Sequence, residues 1–269
     1  MIILDNIKLI AVDMDGTFLR KDNSYDRVRF RKLYKTMKER GIKFVVASGN
    51  QYYQLKSFFE GYQEEITYVA ENGALIIEEG EEIFSSNIPR DDIMRVAKIL
   101  EKYLEVKVCL CGRNSAYVLD TDKDFYEFAS KYYHKIKMVK DFYSIEDKFL
   151  KIATETEPEI SIEVLAKLQE AVGSYLEPVH SGHGSIDIIL PGINKGKAIS
   201  MLQRRWGIDP SECMAFGDGG NDIEMLKRVK YSYAMENAGE GVKSVAAYRT
   251  ASNDLDGVIE VISEYLKQY

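Results

Sequence analysis

Short apolar runs alternate with amphipathic stretches in the first 80 residues of the chain. Residues 8–12, 42–47 and 68–70 are apolar runs, and each ends in polar or glycine residues, as buried strands of a parallel sheet do. Residues 27–41 carry apolar side chains at helical spacing and stop at Gly41, which predicts an amphipathic helix. The order strand, helix, strand predicts a doubly wound, Rossmann-like α/β sheet.

The same alternation returns after Pro191. It predicts helices at 195–206, from 223 to 229 and at 258–266, and strands at 213–216 and 231–234. The stretch between has alternating segments at 116–119 and 185–190, and helical patterns at 91–103 and 161–172. We therefore expect a core made of residues 1–82 and 191–269, and an α+β cap inserted at residues 83–190.

Composition adds limits on partners and location. The 269 residues are 45% apolar and 29% charged, as in globular proteins, and the net charge is 36 − 43 = −7. The negative charge argues against nucleic acid or an anionic membrane as the main partner. Three cysteines, no signal-peptide pattern and no apolar run of roughly 20 residues favour a reduced, cytoplasmic protein without a disulfide framework. We expect a monomer or a weak homodimer.

Polar residues follow four of the predicted strands, and they are Asp13 and Asp15, Ser48, Asn72, and Asp218 and Asp222. Ligands of an open parallel sheet bind outside the carboxyl ends of its strands. We therefore expect these side chains to surround one site.

The two acidic strand ends suggest a metal. Asp13 and Asp15 stand one residue apart, and Gly16 permits a tight turn after them. Paired carboxylates suit Mg²⁺, and Asp218 in the glycine-rich segment 217–222 could complete its site. Either segment alone is also typical of a solvated turn with capping aspartates.

The sequence also contains groups that could bind an anion. Ser48 offers a hydroxyl and Gly49 an unhindered N–H. Lys195 stands at a helix start, where the helix dipole favours anions, so we expect an acidic neighbour there. Lys197 is a rival, but the two side chains point about 200° apart on a helix, so only one can face the site.

Four segments resemble, in order, the motifs of the haloacid dehalogenase superfamily of phosphohydrolases, namely Asp13–Leu19, Ser48–Gly49, Lys195–Gly196 and Gly217–Asp222. The segments 71–74, 235–238 and 253–258 are similar to those of its Cof-type branch, which has a large inserted cap. One departure is Asn50, which stands where many members carry arginine and puts a contact to the leaving group or phosphate in doubt.

The resemblance implies a role for each motif residue. Asp13 would attack phosphorus and become an aspartyl phosphate, and Asp15 would act as acid and then base. Mg²⁺ would be held by Asp13, the backbone carbonyl of Asp15 and Asp218, with Asp222 supporting the metal or Lys195. The phosphoryl group would be bound by Thr17, Ser48, Gly49, Lys195 and Asn221.

The expected substrate is a small phosphorylated metabolite, such as a sugar phosphate. A phosphomutase of the same fold would use the same acids, and a phospho-binding regulator is a third reading. Substrate contacts are expected from Asn72 and from the cap residues Arg113, His183 and Asp187. His183 lies in a glycine-rich stretch, which favours a surface loop over a substrate contact.

Overall fold

The computed structural model describes residues 6–100, 106–157, 159, 161–172, 175–182 and 185–268. The helices are α1 Arg27–Glu39, α2 Tyr52–Ser57, α3 Arg90–Leu100, α4 Lys123–Ala129, α5 Ser161–Val172, α6 Lys195–Trp206, α7 Ile223–Leu226, α8 Glu240–Val245 and α9 Gly257–Gln268. The strands are β1 Leu9–Val12, β2 Lys43–Ala47, β3 Thr67–Ala70, β4 Leu75–Glu78, β5 Glu81–Ser85, β6 Lys107–Gly112, β7 Ala116–Leu119, β8 Ile136–Val139, β9 Phe149–Glu155, β10 Glu177–Gly182, β11 Ser185–Ile189, β12 Cys213–Gly217, β13 Tyr231–Met235 and β14 Tyr248–Thr250.

Eight strands form the larger sheet, in the order β14-β13-β12-β1-β2-β3-β4-β5. The six strands from β14 to β3 pair in parallel, and β4 and β5 add an antiparallel edge. Every residue of β1 is buried, as expected for a central strand with helices on both faces of its sheet. The predicted α/β fold with a Rossmann-like core is confirmed.

Six strands form the smaller sheet, in the order β10-β11-β9-β6-β7-β8. One apolar cluster joins this sheet to α3 and α5, and a second, smaller cluster joins it to α4. Strand β5, which contains the expected boundary at Ile83, pairs with β4 in the larger sheet. The division into a catalytic core and a specificity cap stays a prediction, and we use "core" for the larger sheet with its helices and "cap" for the smaller.

The predicted elements correspond closely to the observed ones. The helices predicted at 161–172 and 195–206 have these bounds, and the one predicted at 91–103 is observed over Arg90–Leu100, with positions 101–103 outside the described residues. The helix predicted from 223 ends at Leu226 instead of Val229. Within the part of the chain that the structure describes, no helix is both long and apolar enough to cross a bilayer.

Candidate active site

Four parallel strands of the core deliver the predicted polar residues to one edge. Strands β12, β1, β2 and β3 are neighbours that run in the same direction. Asp13 follows β1, Ser48 follows β2, Asn72 lies just past β3, and Asp218 follows β12. The carboxyl ends of these strands therefore meet at the edge where the sequence predicted a site.

Lys195 is the buried cation of this edge. Its side chain is fully buried, and its Nζ lies 2.6 Å from Asp13 Oδ1 and 2.6 Å from Asp222 Oδ1. The two carboxylates outweigh burial and raise the pKa of Lys195, so it stays charged. Lys197 is exposed, and the Asn194 side chain caps the helix by accepting from the Lys197 N–H. Lys195 is thus the lysine that faces the acids.

Asp222 holds the loop that carries Asp218. Its Oδ2 accepts from the backbone N–H groups of Asp218 and Gly219, at 3.0 and 2.9 Å. Burial, together with the nearby charge of Asp222, raises the pKa of Asp218 to about 6, although the Thr17 hydroxyl donates to its Oδ1 at 2.7 Å. Asp218 is therefore fixed from two sides while its negative charge is poorly compensated.

Three carboxylates of the edge fit a divalent metal. Asp13, Asp218 and Asp222 each place an oxygen within 4.8 Å of the others. Burial first, and then the Asp222 charge, raises the pKa of Asp13 against the opposing effect of Lys195. An oxygen-only donor set with this excess of negative charge suits a hard cation such as Mg²⁺. The resemblance implies that Asp222 supports the metal or Lys195, and that role stays a prediction beside its observed contacts to Lys195 and to the loop.

Asp15 does not belong to this group of three carboxylates. Its side chain is exposed, and its Oδ2 accepts from Asn50 Nδ2 at 2.6 Å. The surrounding protein removes part of its hydration and raises its pKa, although the bond from Asn50 works in the opposite direction. Gly16, at φ +74°, makes the turn, and a Cβ there would overlap the Asp218 carboxylate. The residue that departs from the family pattern, Asn50, thus contacts the expected acid.

Two asparagines fix the loop after β1. Asn237 donates to the Gly16 carbonyl at 2.7 Å, and Asn253 donates to the Leu19 carbonyl at 2.8 Å. The Asn237 side chain also accepts from the Asn253 N–H at 3.1 Å. Both lie in segments that resembled the Cof-type branch, but their partners could not be predicted from the sequence.

Ser48 and its neighbours line the other half of the edge. Ser48 is buried, and its hydroxyl accepts from the Asn50 N–H at 3.1 Å. Asn72 Oδ1 accepts from Asn221 at 3.0 Å, and Asn72 Nδ2 donates to Asp187 of the cap at 2.5 Å. The structure therefore brings three predicted site residues, Asn72, Asn221 and Asp187, into one chain of hydrogen bonds.

Other predicted contacts lie elsewhere or are already engaged. Arg113 pairs with Glu82 and donates to the Tyr53 hydroxyl, and the acids at the strand ends are not among its partners. Thr17 uses its hydroxyl hydrogen on Asp218, so its expected contact to phosphate stays a prediction. His183 lies outside the described residues.

Sequence reasoning missed two buried charged residues at this edge. Lys151 of β9 and Glu71 after β3 are 2% and 1% exposed, and they pair across the boundary between cap and core at 3.2 Å. A lysine between Leu150 and Ile152 in an apolar strand was the available signal.

Comparison with known proteins agrees with this geometry. The family described as haloacid dehalogenase-like hydrolase matches residues 10–262. The 5-amino-6-(5-phospho-D-ribitylamino)uracil phosphatase YbjI of Escherichia coli (strain K12) is 48% identical over 263 residues, which are 97% of each chain. A crystal structure of a Streptococcus mutans protein is 39% identical and covers 97% of this chain and 99% of its own, with a TM-score of 0.92. A haloacid dehalogenase-like hydrolase from Bacteroides thetaiotaomicron, 25% identical, covers 96% of this chain and 99% of its own, with a TM-score of 0.80.

These matches extend over nearly the whole chain, cap included. The resemblance to the Cof-type branch is therefore confirmed. The chain belongs to the haloacid dehalogenase-like hydrolases and is a phosphatase.

Proposed function

We propose that the protein is a Mg²⁺-dependent phosphatase that hydrolyses a small phosphorylated metabolite through an aspartyl phosphate at Asp13. One observation carries the proposal: the buried Lys195 bridges Asp13 and Asp222 while Asp218 stands beside them. Such a cluster has more acids than bases, and it suits a reaction that needs a carboxylate nucleophile and a metal at the same point.

The first step transfers the phosphoryl group to the protein. A carboxylate oxygen of Asp13 attacks phosphorus, and the bond between phosphorus and the ester oxygen breaks. Asp15 gives its proton to the leaving oxygen. The raised pKa of Asp15 supports this role, because the step needs the protonated acid.

The second step releases phosphate. A water molecule attacks phosphorus, Asp15 takes its proton, and the bond between phosphorus and Asp13 breaks. Ser48, the Gly49 N–H and Lys195 bind the phosphoryl oxygens in both steps. Asp13, Asp218 and the Asp15 carbonyl would hold Mg²⁺, which would supply positive charge to offset that of the transferring group.

We base the proposed substrate on the name of a relative and on the exposed ring of Tyr132. We propose 5-amino-6-(5-phospho-D-ribitylamino)uracil as the first compound to test, because the E. coli relative carries that name. The Tyr132 side chain is 39% exposed, and the charge of Asp15 follows burial among the causes that raise its pKa, so we propose that this ring borders the substrate. A planar group beyond the phosphate ester has an aromatic surface there. We propose a cytoplasmic location, supported by three free, buried cysteines.

Phosphate release tests the proposal. Purified protein should hydrolyse p-nitrophenyl phosphate with Mg²⁺ and lose turnover in EDTA, and Asp13→Asn should be inactive. Wild-type turnover in Asp13→Asn would disprove the nucleophile. A panel of phosphorylated sugars, nucleotides and ribityl compounds identifies the substrate, and conversion without free phosphate would indicate a mutase instead.

A further inference from the structure

Lys151 is a cap residue whose side chain ends in the core. It lies on β9, yet its Nζ donates to the Gly49 carbonyl at 2.7 Å and lies 3.2 Å from Glu71 Oε2. Its third partner is Asp187 on the neighbouring cap strand β11, with Oδ1 at 3.0 Å. An ammonium group has three hydrogens, and here three acceptors surround it. Lys151 thus donates to the Gly49 carbonyl of the core and to Asp187 of the cap, and the charge of Glu71 lies beside it.

Lys151 has carboxylate partners on both sides of the boundary between cap and core. Asp187 comes from the cap and Glu71 from the core, and both are buried beside the lysine. Removing a carboxylate partner from a buried lysine strongly destabilises the folded protein. Separating the cap from the core would remove Glu71 and the Gly49 carbonyl from Lys151 at once. Docking of the cap is thus coupled to the position of Gly49.

Gly49 belongs to the segment that is proposed to bind phosphate. A Cβ on Gly49 would lie 3.1 Å from Asn72 Oδ1, so its backbone lies directly against that side chain. Asn72 is itself held by Asp187 of the cap and by Asn221 of the core. Two cap residues, Lys151 and Asp187, therefore fix both the Gly49 peptide and the side chain that it touches.

We infer that Lys151 is a positioning residue: by holding the Gly49 carbonyl from the cap, it orients the Ser48–Gly49 segment for the phosphoryl group. The inference rests on the proposed phosphatase function. It differs from a direct role of the cap in substrate choice, because a defect in the Ser48–Gly49 segment affects every phosphate ester, whatever its leaving group.

The test is Lys151→Met beside the matched control Lys107→Met. Lys107 lies in the same cap sheet, but its partner at 2.6 Å is Asp122, also in the cap. We expect kcat/KM of Lys151→Met to fall about 10- to 100-fold, the effect of one charge-assisted hydrogen bond. The factor should be the same for p-nitrophenyl phosphate and acetyl phosphate, and inhibition by inorganic phosphate should weaken. Lys107→Met should stay within about twofold of wild type.

Two results would overturn the inference. Unchanged activity and unchanged phosphate inhibition in Lys151→Met would show that the contact to Gly49 has no effect. A loss confined to one substrate would assign Lys151 to the leaving group instead. A wild-type protein that hydrolyses neither p-nitrophenyl phosphate nor acetyl phosphate would refute the proposed function itself, which is a separate outcome.

A second variant covers the case in which Lys151→Met does not fold. Asp187→Asn keeps an oxygen acceptor for Asn72 while weakening the hold on Lys151. We expect Asp187→Asn to melt like the wild type. Its kcat/KM should fall about two- to tenfold on both substrates. Wild-type kinetics in this folded variant would count against the inference.

Discussion

Replacing Lys195 with methionine separates the structural and chemical roles of the buried cluster. Methionine has a similar length and no charge, so the change leaves Asp13 and Asp222 buried without the ammonium that lies 2.6 Å from each. The pKa of Asp13 is already raised by burial and by Asp222. Both carboxylates lose the charge that offsets their burial, and the folded state is destabilised.

The expected size of the effect follows from the burial of the lysine. Lys195 is 0% exposed, so solvent screens its ion pairs little, and loss of one partner of such a pair costs about 3–5 kcal/mol. At about 2–4 °C per kcal/mol for a protein of this size, the melting temperature should fall by roughly 6–20 °C. Turnover should fall by about 100-fold or more, because a donor to the transferring phosphoryl group is lost.

Thermal unfolding in EDTA and phosphate release with Mg²⁺ measure the two effects. Lys197→Met is the matched control, since Lys197 is exposed on the same helix. Adding Asp222→Asn to Lys195→Met removes one of the stranded charges, so it should recover part of the stability and none of the turnover. A melting temperature for Lys195→Met equal to that of the control, or a double variant no more stable than the single, would refute the electrostatic reasoning.

Three further results are expected. Asp15→Asn should lose much more activity on an alkyl phosphate, such as a sugar phosphate, than on acetyl phosphate, whose leaving group needs less protonation, and equal losses would argue against Asp15 as the acid. Tyr132→Ala should raise KM severalfold for a ring-bearing ribityl phosphate and leave acetyl phosphate unaffected, as competition assays would reveal. The pKa values of Asp218 (about 6) and Glu71 (about 7) are raised, so the folded protein binds these protons more tightly than the unfolded chain. In EDTA its melting temperature should therefore fall from pH 5 to pH 8, and Mg²⁺ should restore the share due to Asp218; a rise with pH would contradict these shifts.

The core of the site was predictable because strand ends in a parallel sheet have fixed geometry. Once residues 8–12, 42–47 and 213–216 are assigned as parallel strands, Asp13, Ser48 and Asp218 must share an edge. This conclusion depends only on the parallel direction of the strands. Helix geometry allowed only one of Lys195 and Lys197 to face the acids, and the family resemblance identified that residue as Lys195.

The junction between cap and core was not predictable in this way. Lys151 and Glu71 are 80 positions apart in the chain, and their pairing depends on how two sheets meet, which no periodicity encodes. The contact of Asn50 with Asp15 likewise depends on the course of two loops. Sequence could identify Asn50 as unusual without saying which residue it reaches.

The difference between the two halves of the site has a physical origin. Asp13, Lys195 and Asp222 are held by one sheet and the helix beside it, so their arrangement is set when the core folds. Gly49 and Asn72 are held in part by residues of the cap. A phosphatase built this way keeps its nucleophile and lysine assembled at all times, whereas its Ser48–Gly49 segment reaches its final geometry only with the cap in place. Variation in the cap can therefore alter the rate of phosphoryl transfer as well as the choice of substrate.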